Sequence, residues 1–267
     1  MEARIGALDV VGVGINVPMQ TTQRTESIIR SADIVYYGQS SSIAEAYIEG
    51  LNPNSFSIQR HYHEQPNRHR AYLAMKDEVM SAVAAGKNVA LAMYGHPRVF
   101  ADFPKWCVDE TRELGGRAQF HAAVGADSCL VADLEIDPGR NGIQHYEATH
   151  LLMYDINIAP TTCLVLWQIS LAGDVSIKEL HRTKDENIQH LVDKLKRWYP
   201  AEHKVCIYEA AIHALDGSRQ EWLPLSDLAS AELYGFSTLV IPPISKPNWD
   251  QQVLDAMGLK AKELGNW

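Results

Sequence analysis

The apolar positions of this chain change period several times, and each change predicts an element. Leu8 to Val13 is a short, mostly apolar run closed by Gly12 and Gly14, the pattern of a buried parallel strand that ends in a turn. Thr22 to Ala32 then reads as a helix and Asp33 to Tyr37 as a second strand. Strand, helix, strand implies a right-handed crossover in a parallel sheet. Asn67 to Ala85 is a longer helix, with Asn67 as its cap, Gly86 as its stop, and Tyr72, Met75, Val79, Met80 and Val83 as its apolar stripe. Val89 to Tyr94 predicts a strand, Phe103 to Leu114 a helix stopped by Gly115 and Gly116, Ala118 to His121 a short strand, and Asp127 to Leu134 a helix.

From Leu151 the spacing loosens. Thr162 to Ile169, Lys204 to Ala210 and Ser237 to Ile241 read as strands, and Ser176 to Tyr199 contains helical stretches. Turn signals stand at Leu215-Asp216-Gly217-Ser218 and Ile241-Pro242-Pro243. The expected class is α/β in two halves, residues 1–150 with a mostly parallel sheet and 151–267 with a mixed one, the boundary falling within residues 142–160.

Composition narrows the function classes. The 267 residues suffice for one large domain or two compact ones, and a net charge of −9 argues against a nucleic-acid partner, since phosphate binding is driven by Lys and Arg. Cys107, Cys129, Cys163 and Cys206 are scattered without a CxxC pair, as expected of reduced thiols in a cytoplasmic protein. No signal peptide and no run near the ~20 apolar residues of a membrane span is present, so no membrane partner is expected.

Four places carry candidate chemistry. Val11-Gly12-Val13-Gly14 lets the backbone approach a nucleotide closely, or simply makes a tight turn, because the third glycine of a dinucleotide fingerprint is missing. Arg68 and Tyr72 are four apart and share a helix face, with Tyr62 on the preceding loop within reach. An Arg beside a Tyr stabilises phenolate, which then serves as a base, while a neutral phenol donates to a developing oxyanion. The plainer reading is a core tyrosine and a solvated arginine. His61, His63 and His69 lack the spacing of helical metal ligands, so no metal is expected and they read as surface histidines on a loop. Tyr94-Gly95-His96-Pro97 follows a strand, and in an open α/β sheet ligands bind at the carboxyl ends of strands, although a simple loop is also possible there.

Taken in order, Val11 to Gly14, Tyr94 to Phe100, Cys129 to Leu134 and Ser237 to Pro243 resemble the tetrapyrrole-methylase superfamily. Within it the chain is most similar to the borosin backbone α-N-methyltransferases, which use S-adenosylmethionine (SAM) and release S-adenosylhomocysteine. The Tyr94–Phe100 segment and the helix opened by Asn67, Arg68 and Tyr72 carry the resemblance. It implies a two-lobed fold, a homodimer, and a catalytic set of Tyr62, Arg68, Tyr72 and Tyr94. It further implies SAM contacts at Gly12, Gly14, Tyr94, His96, Val99, Phe100, Gly125, Ala126, Gln168, Ala210, Ser237 and Thr238. Two departures stand out. Ala122-Ala123-Val124-Gly125 replaces the usual Pro-Gly-Ile-Ser, leaving a backbone-only contact at 125, and Arg98 replaces a glycine. Only a short, helical tail is expected after Pro243, so the resemblance points to the split type, acting on a separate ribosomally made precursor peptide in trans. The alternatives are a methyltransferase for a tetrapyrrole or other small molecule, and a non-catalytic module that binds SAM and peptide.

Overall fold

A computed structural model describes residues 4–39, 41–174 and 182–264. The chain divides into two compact units, the first holding the residues up to Ala132 together with Ala210–Ser218.

The first unit runs β1 (Ala7–Gly12), α1 (Gln23–Ser31), β2 (Ile34–Gly38), α2 (Ser42–Leu51), β3 (Ser55–Ser57), α3 (Arg60–Glu64), α4 (Arg68–Ala84), β4 (Asn88–Met93), α5 (Phe103–Glu113), β5 (Arg117–Phe120) and the start of α6 (Ala126–Asp133). Its five strands lie in the order β3-β2-β4-β1-β5 and every pairing is parallel. Both faces are covered, which is why the strands read as apolar runs rather than alternating ones. Leu8, Val10 and Leu91 pack with Met75 and Val79 of α4 and Val108 of α5 on one face. Val11, Val35 and Ala90 pack with Ile29 of α1 and Ile48 of α2 on the other. Asn67 caps α4 as expected, its side chain accepting from Arg70 N.

The second unit continues with α7 (Pro138–Asn141), β6 (Ile143–Glu147), α8 (Ala148–Met153), β7 (Cys163–Trp167), α9 (Asp185–Leu195), β8 (Lys204–Glu209), β9 (Arg219–Pro224), β10 (Thr238–Ile241) and α10 (Gln251–Ala256). Its sheet is mixed, in the order β6-β7-β10-β8-β9, with β6 parallel to β7 and the other pairs antiparallel. The division after Ala132 lies upstream of residue 150 because β6 and α8 belong to this second sheet and core, with Ala148 and Leu151 packed against Leu164 and Leu191. Part of the helical stretch expected from Ser176 lies outside the described residues; the rest of it holds α9. No helix among the described residues is long and apolar enough to cross a membrane.

One polar network ties β1 to β5. Arg117 reaches Asp9 with two bonds of 2.8 and 2.5 Å, and the ring Nε2 of His121 lies 2.8 Å from the same carboxylate. Burial pushes the Asp9 carboxyl up, but the hydrogen bonds from Arg117 and His121 outweigh it and hold the pKa below the ordinary 3.8. A depressed pKa stabilises the fold above the ordinary carboxylate value, and that contribution is lost as pH falls through the folded value. Asp9→Asn is therefore expected to cost about 1–2 kcal/mol near neutral pH. In urea melts the gap from wild type should narrow as the pH drops below about 4.

Candidate active site

Carboxyl ends of parallel strands gather loops on one edge of a sheet, and in the first unit that edge holds most of the expected site residues. Gly14 and Gly95 meet there, Gly95 N donating to Gly14 O at 3.0 Å. Both have positive φ, +84° and +62°, which suits glycine in these tight turns. Gly12 is packed from above: a Cβ on it would overlap the Gly95 carbonyl oxygen and lie 2.6 Å from Ala123 Cβ and 2.8 Å from Pro97 Cδ. The structure thus places Gly12 beneath the turn that carries His96, with protein atoms already filling its side-chain space.

Tyr94 directly follows β4, its N–H donating to Gly38 O at 3.1 Å. His96 Nδ1 accepts the Arg98 N–H at 3.2 Å, which leaves Nε2 to carry the ring proton. Val99 and Phe100 are exposed, and Phe100 holds φ +56°, a left-handed conformation that a non-glycine residue adopts at a cost. Gly125 and Ala126 open α6, and a Cβ on Gly125 would lie 3.3 Å from His96 Cβ and collide with Asp127 Oδ1. Asp127 therefore brings a side-chain oxygen to the space where a residue-125 side chain would stand.

Tyr62, Arg68 and Tyr72 do come together. Arg68 Nε donates to Tyr72 Oη at 2.9 Å, and its guanidinium carbon lies 5.3 Å from the ring centroid. The Tyr62 ring meets Tyr72 edge-on at 6.2 Å, and Phe103 and Trp106 close the other sides at 5.4 and 6.3 Å. Tyr72 is buried, only 6% exposed. Although Tyr62 as a residue is 37% exposed, desolvation of its phenol first and the Tyr72 phenol second push that group well above its ordinary range, against a smaller opposing pull from Arg68. Tyr62 sits on the short helix α3 rather than on a loop, and His61 beside it is not a surface histidine, since its side chain is only 12% exposed and bonds Glu78.

The remaining expected residues lie elsewhere in the chain. Ala210 follows the last residue of β8. Gln168 follows β7 with φ +56°, and Ile169 N donates to Ser237 O at 3.2 Å. Ser237 is fully buried and engaged on both sides, donating to Glu209 Oε1 at 2.6 Å and accepting from Tyr234 N at 2.8 Å. Thr238 opens β10, opposite Tyr208.

Three side chains that sequence reasoning missed belong to the first unit's edge. Gln20 Oε1 accepts both Ile15 N and Asn16 N at 2.9 Å, and its Nε2 donates to Cys129 Sγ at 3.3 Å, bracing the first loop against α6. Asn16 Oδ1 and Gln39 Oε1 are buried acceptors without a hydrogen-bond partner among the described residues. A buried orphan acceptor is costly unless a donor completes it. SAM, with its ammonium and ribose hydroxyls, is a group with such donors, and His96 Nε2 offers a donor in return for its carboxylate. The residues present fit that cofactor.

A family model of tetrapyrrole (corrin/porphyrin) methylases matches residues 7–211. The chain is 31% identical, over 90% of its length, to a methyltransferase/ribosomally synthesized type I borosin cyclic peptide precursor of Coprinopsis marcescibilis, and covers 63% of that protein. It is 32% identical over 91% of its length to the omphalotin A precursor methyltransferase of Omphalotus olearius, of which it covers 59%. The chain thus spans roughly three fifths of each of these relatives. Among solved structures, uroporphyrin-III-C-methyltransferase from Thermus thermophilus shares the fold, with a TM-score of 0.64 at 16% identity over 89% of this chain and 92% of that one.

Proposed function

The chain belongs to the tetrapyrrole (corrin/porphyrin) methylase family, and on that footing we propose that it transfers a methyl group from SAM to backbone amide nitrogens of a peptide supplied as a separate chain. The observation that carries this reading is the Arg68 Nε bond onto Tyr72 Oη, with the Tyr62 ring set against the same phenol.

An amide nitrogen is a poor nucleophile because its lone pair is delocalised into the carbonyl. The chemistry SAM supplies when bound is a methyl activated on a sulfonium, so the protein must hold the amide, take its proton and stabilise the charge that appears on oxygen. Arg68 fixes the Tyr72 oxygen by donating to it at 2.9 Å, and Tyr72 is the group assigned to accept the amide proton. Tyr62, pushed upward, stays protonated and donates to the amide oxygen as charge develops, with Tyr94 as a second donor. Phe103 and Trp106 keep water from Tyr72, which strengthens each of these interactions. His96, Asn16, Asp127 and the glycine turns would hold the cofactor.

The relatives support the peptide as substrate, since their names describe methyltransferase and cyclic peptide precursor in one protein. The test is intact mass of candidate precursor peptides after incubation with the protein and SAM. Stepwise gains of one methyl mass, located on backbone amides by fragmentation, are expected. Methyl gains confined to side chains, or none while SAM binding is measured, would reject the reading.

A further inference from the structure

Tyr62 stands on a helix with little of its own to hold it. α3 is five residues long, has no side-chain N-cap and buries none of its residues. So short a helix is not stable alone, because nucleation costs more than one turn returns. Upstream, Ile58 is buried and Gln59 donates to the Gln39 carbonyl, which fixes where the chain enters α3 but not how the helix is turned.

α4 is tied to α3 by one carboxylate. A single oxygen of Glu78, Oε2, takes Arg60 Nη2 at 2.6 Å and lies 2.7 Å from His61 Nε2. Arg60 is held in turn by Nη1 on Ser57 O at 2.7 Å, and the far nitrogen of His61 faces Glu64 at 3.4 Å. The inner part of the clamp is shielded, with the side chain of His61 12% exposed and that of Glu78 22%, while Arg60 covers it from the solvent side at 47%. Bonds to a charged group in such a place are stronger than surface ion pairs. Burial raises the Glu78 carboxyl, but the bonds from Arg60 and His61 outweigh this and hold it below its ordinary value, so it is ionised near neutral pH. Glu78 shares α4 with Arg68 and Tyr72. One rigid helix therefore carries both the tyrosine to be addressed and the carboxylate that aims its partner.

We propose that Glu78 is a positioning residue: by gripping Arg60 and His61 it turns α3 so that Tyr62 faces Tyr72. The proposal rests on the reading of Tyr62 and Tyr72 as the reacting pair, and its test is arranged to separate the two. In protein labelled with 3-fluorotyrosine, the Tyr62 resonance is identified by its disappearance in Tyr62→Phe. Glu78→Gln should shift that resonance from its wild-type position as the Tyr62 ring leaves the edge of Tyr72, whether or not any peptide is methylated. Arg60→Ala, at an exposed position, should move it less in the same direction with the fold intact. An unmoved Tyr62 resonance in both variants would overturn the proposal.

Kinetics give the second arm. Glu78→Gln should lower kcat roughly tenfold to a hundredfold with the KM for SAM unchanged. Because Glu78 acts through Tyr62, the Tyr62→Phe/Glu78→Gln double variant should be no slower than Tyr62→Phe. Losses that multiply would show a general structural role and overturn the proposal. If wild type methylates no peptide, the function proposed above fails while the fluorine arm still decides the placement.

Discussion

Tyr72→Phe should lower the rate of peptide methylation by a factor on the order of 10²–10⁴, the range that loss of a positioned general base produces. The substitution removes one oxygen and little else. The ring keeps its neighbours, Tyr62 at 6.2 Å, Phe103 at 5.4 Å and Trp106 at 6.3 Å, so packing is preserved. What disappears is the acceptor of the 2.9 Å bond from Arg68. SAM affinity, read by calorimetry, should stay within about twofold, because none of the loops proposed to hold the cofactor touches that oxygen. Arg68→Ala should be similarly slow, and the double variant little slower than either, since residues that act as a unit lose their effect together. Near wild-type rates in Tyr72→Phe would end the assignment of Tyr72 as base.

The second large effect is on stability. Gly12→Ala should destabilise the protein by roughly 3 kcal/mol, at the upper end of overpacking costs, because the new methyl meets backbone and a proline ring rather than a side chain that can swing away. At this size that corresponds to a fall in melting temperature of about 10 °C. The collision is with the Gly95 carbonyl, and next with Ala123 Cβ at 2.6 Å and Pro97 Cδ at 2.8 Å. Relief requires the Gly95–Pro97 turn to lift, which also displaces His96. SAM affinity is therefore expected to fall together with the melting temperature. A variant as stable as wild type that binds SAM normally would show that the three segments are not held as close as described.

Much of the first unit was legible because its signals are local. The stripe of Tyr72, Met75, Val79, Met80 and Val83 with Asn67 ahead of it specifies α4 without help from the rest of the chain. The apolar runs that become β1, β2 and β4 are long and buried on both faces, hence readable as parallel strands. α2 was not read from the sequence, although the Ser41 cap and the Ala44, Ile48 and Leu51 stripe are signals of it. Elements held by distant partners were not legible. β3 is three residues of Ser-Phe-Ser, and β9 has the polar pattern of a strand at the edge of its sheet. α3 has no apolar period, and its partner Glu78 lies on another helix. In the site, the four-residue spacing of Arg68 and Tyr72 sufficed to place them together. Tyr62 joins them only through α3, and the full engagement of Ser237 depends on Glu209, 28 residues upstream on β8, as well as on Tyr234.

The place of β1 in its sheet has a consequence for how the protein is made. It is made before both of its neighbours, β4, starting at Asn88, and β5, ending at Phe120. Until those residues have emerged, an apolar segment with Val10, Val11 and Val13 has both edges unpaired, the condition under which nascent chains associate. Long-range parallel pairing is also slow to form. Chains released before residue 120 should therefore accumulate in aggregates or on chaperones. Slower synthesis at low temperature should raise the soluble yield, whereas strengthening contacts already made in the finished fold should do little for it.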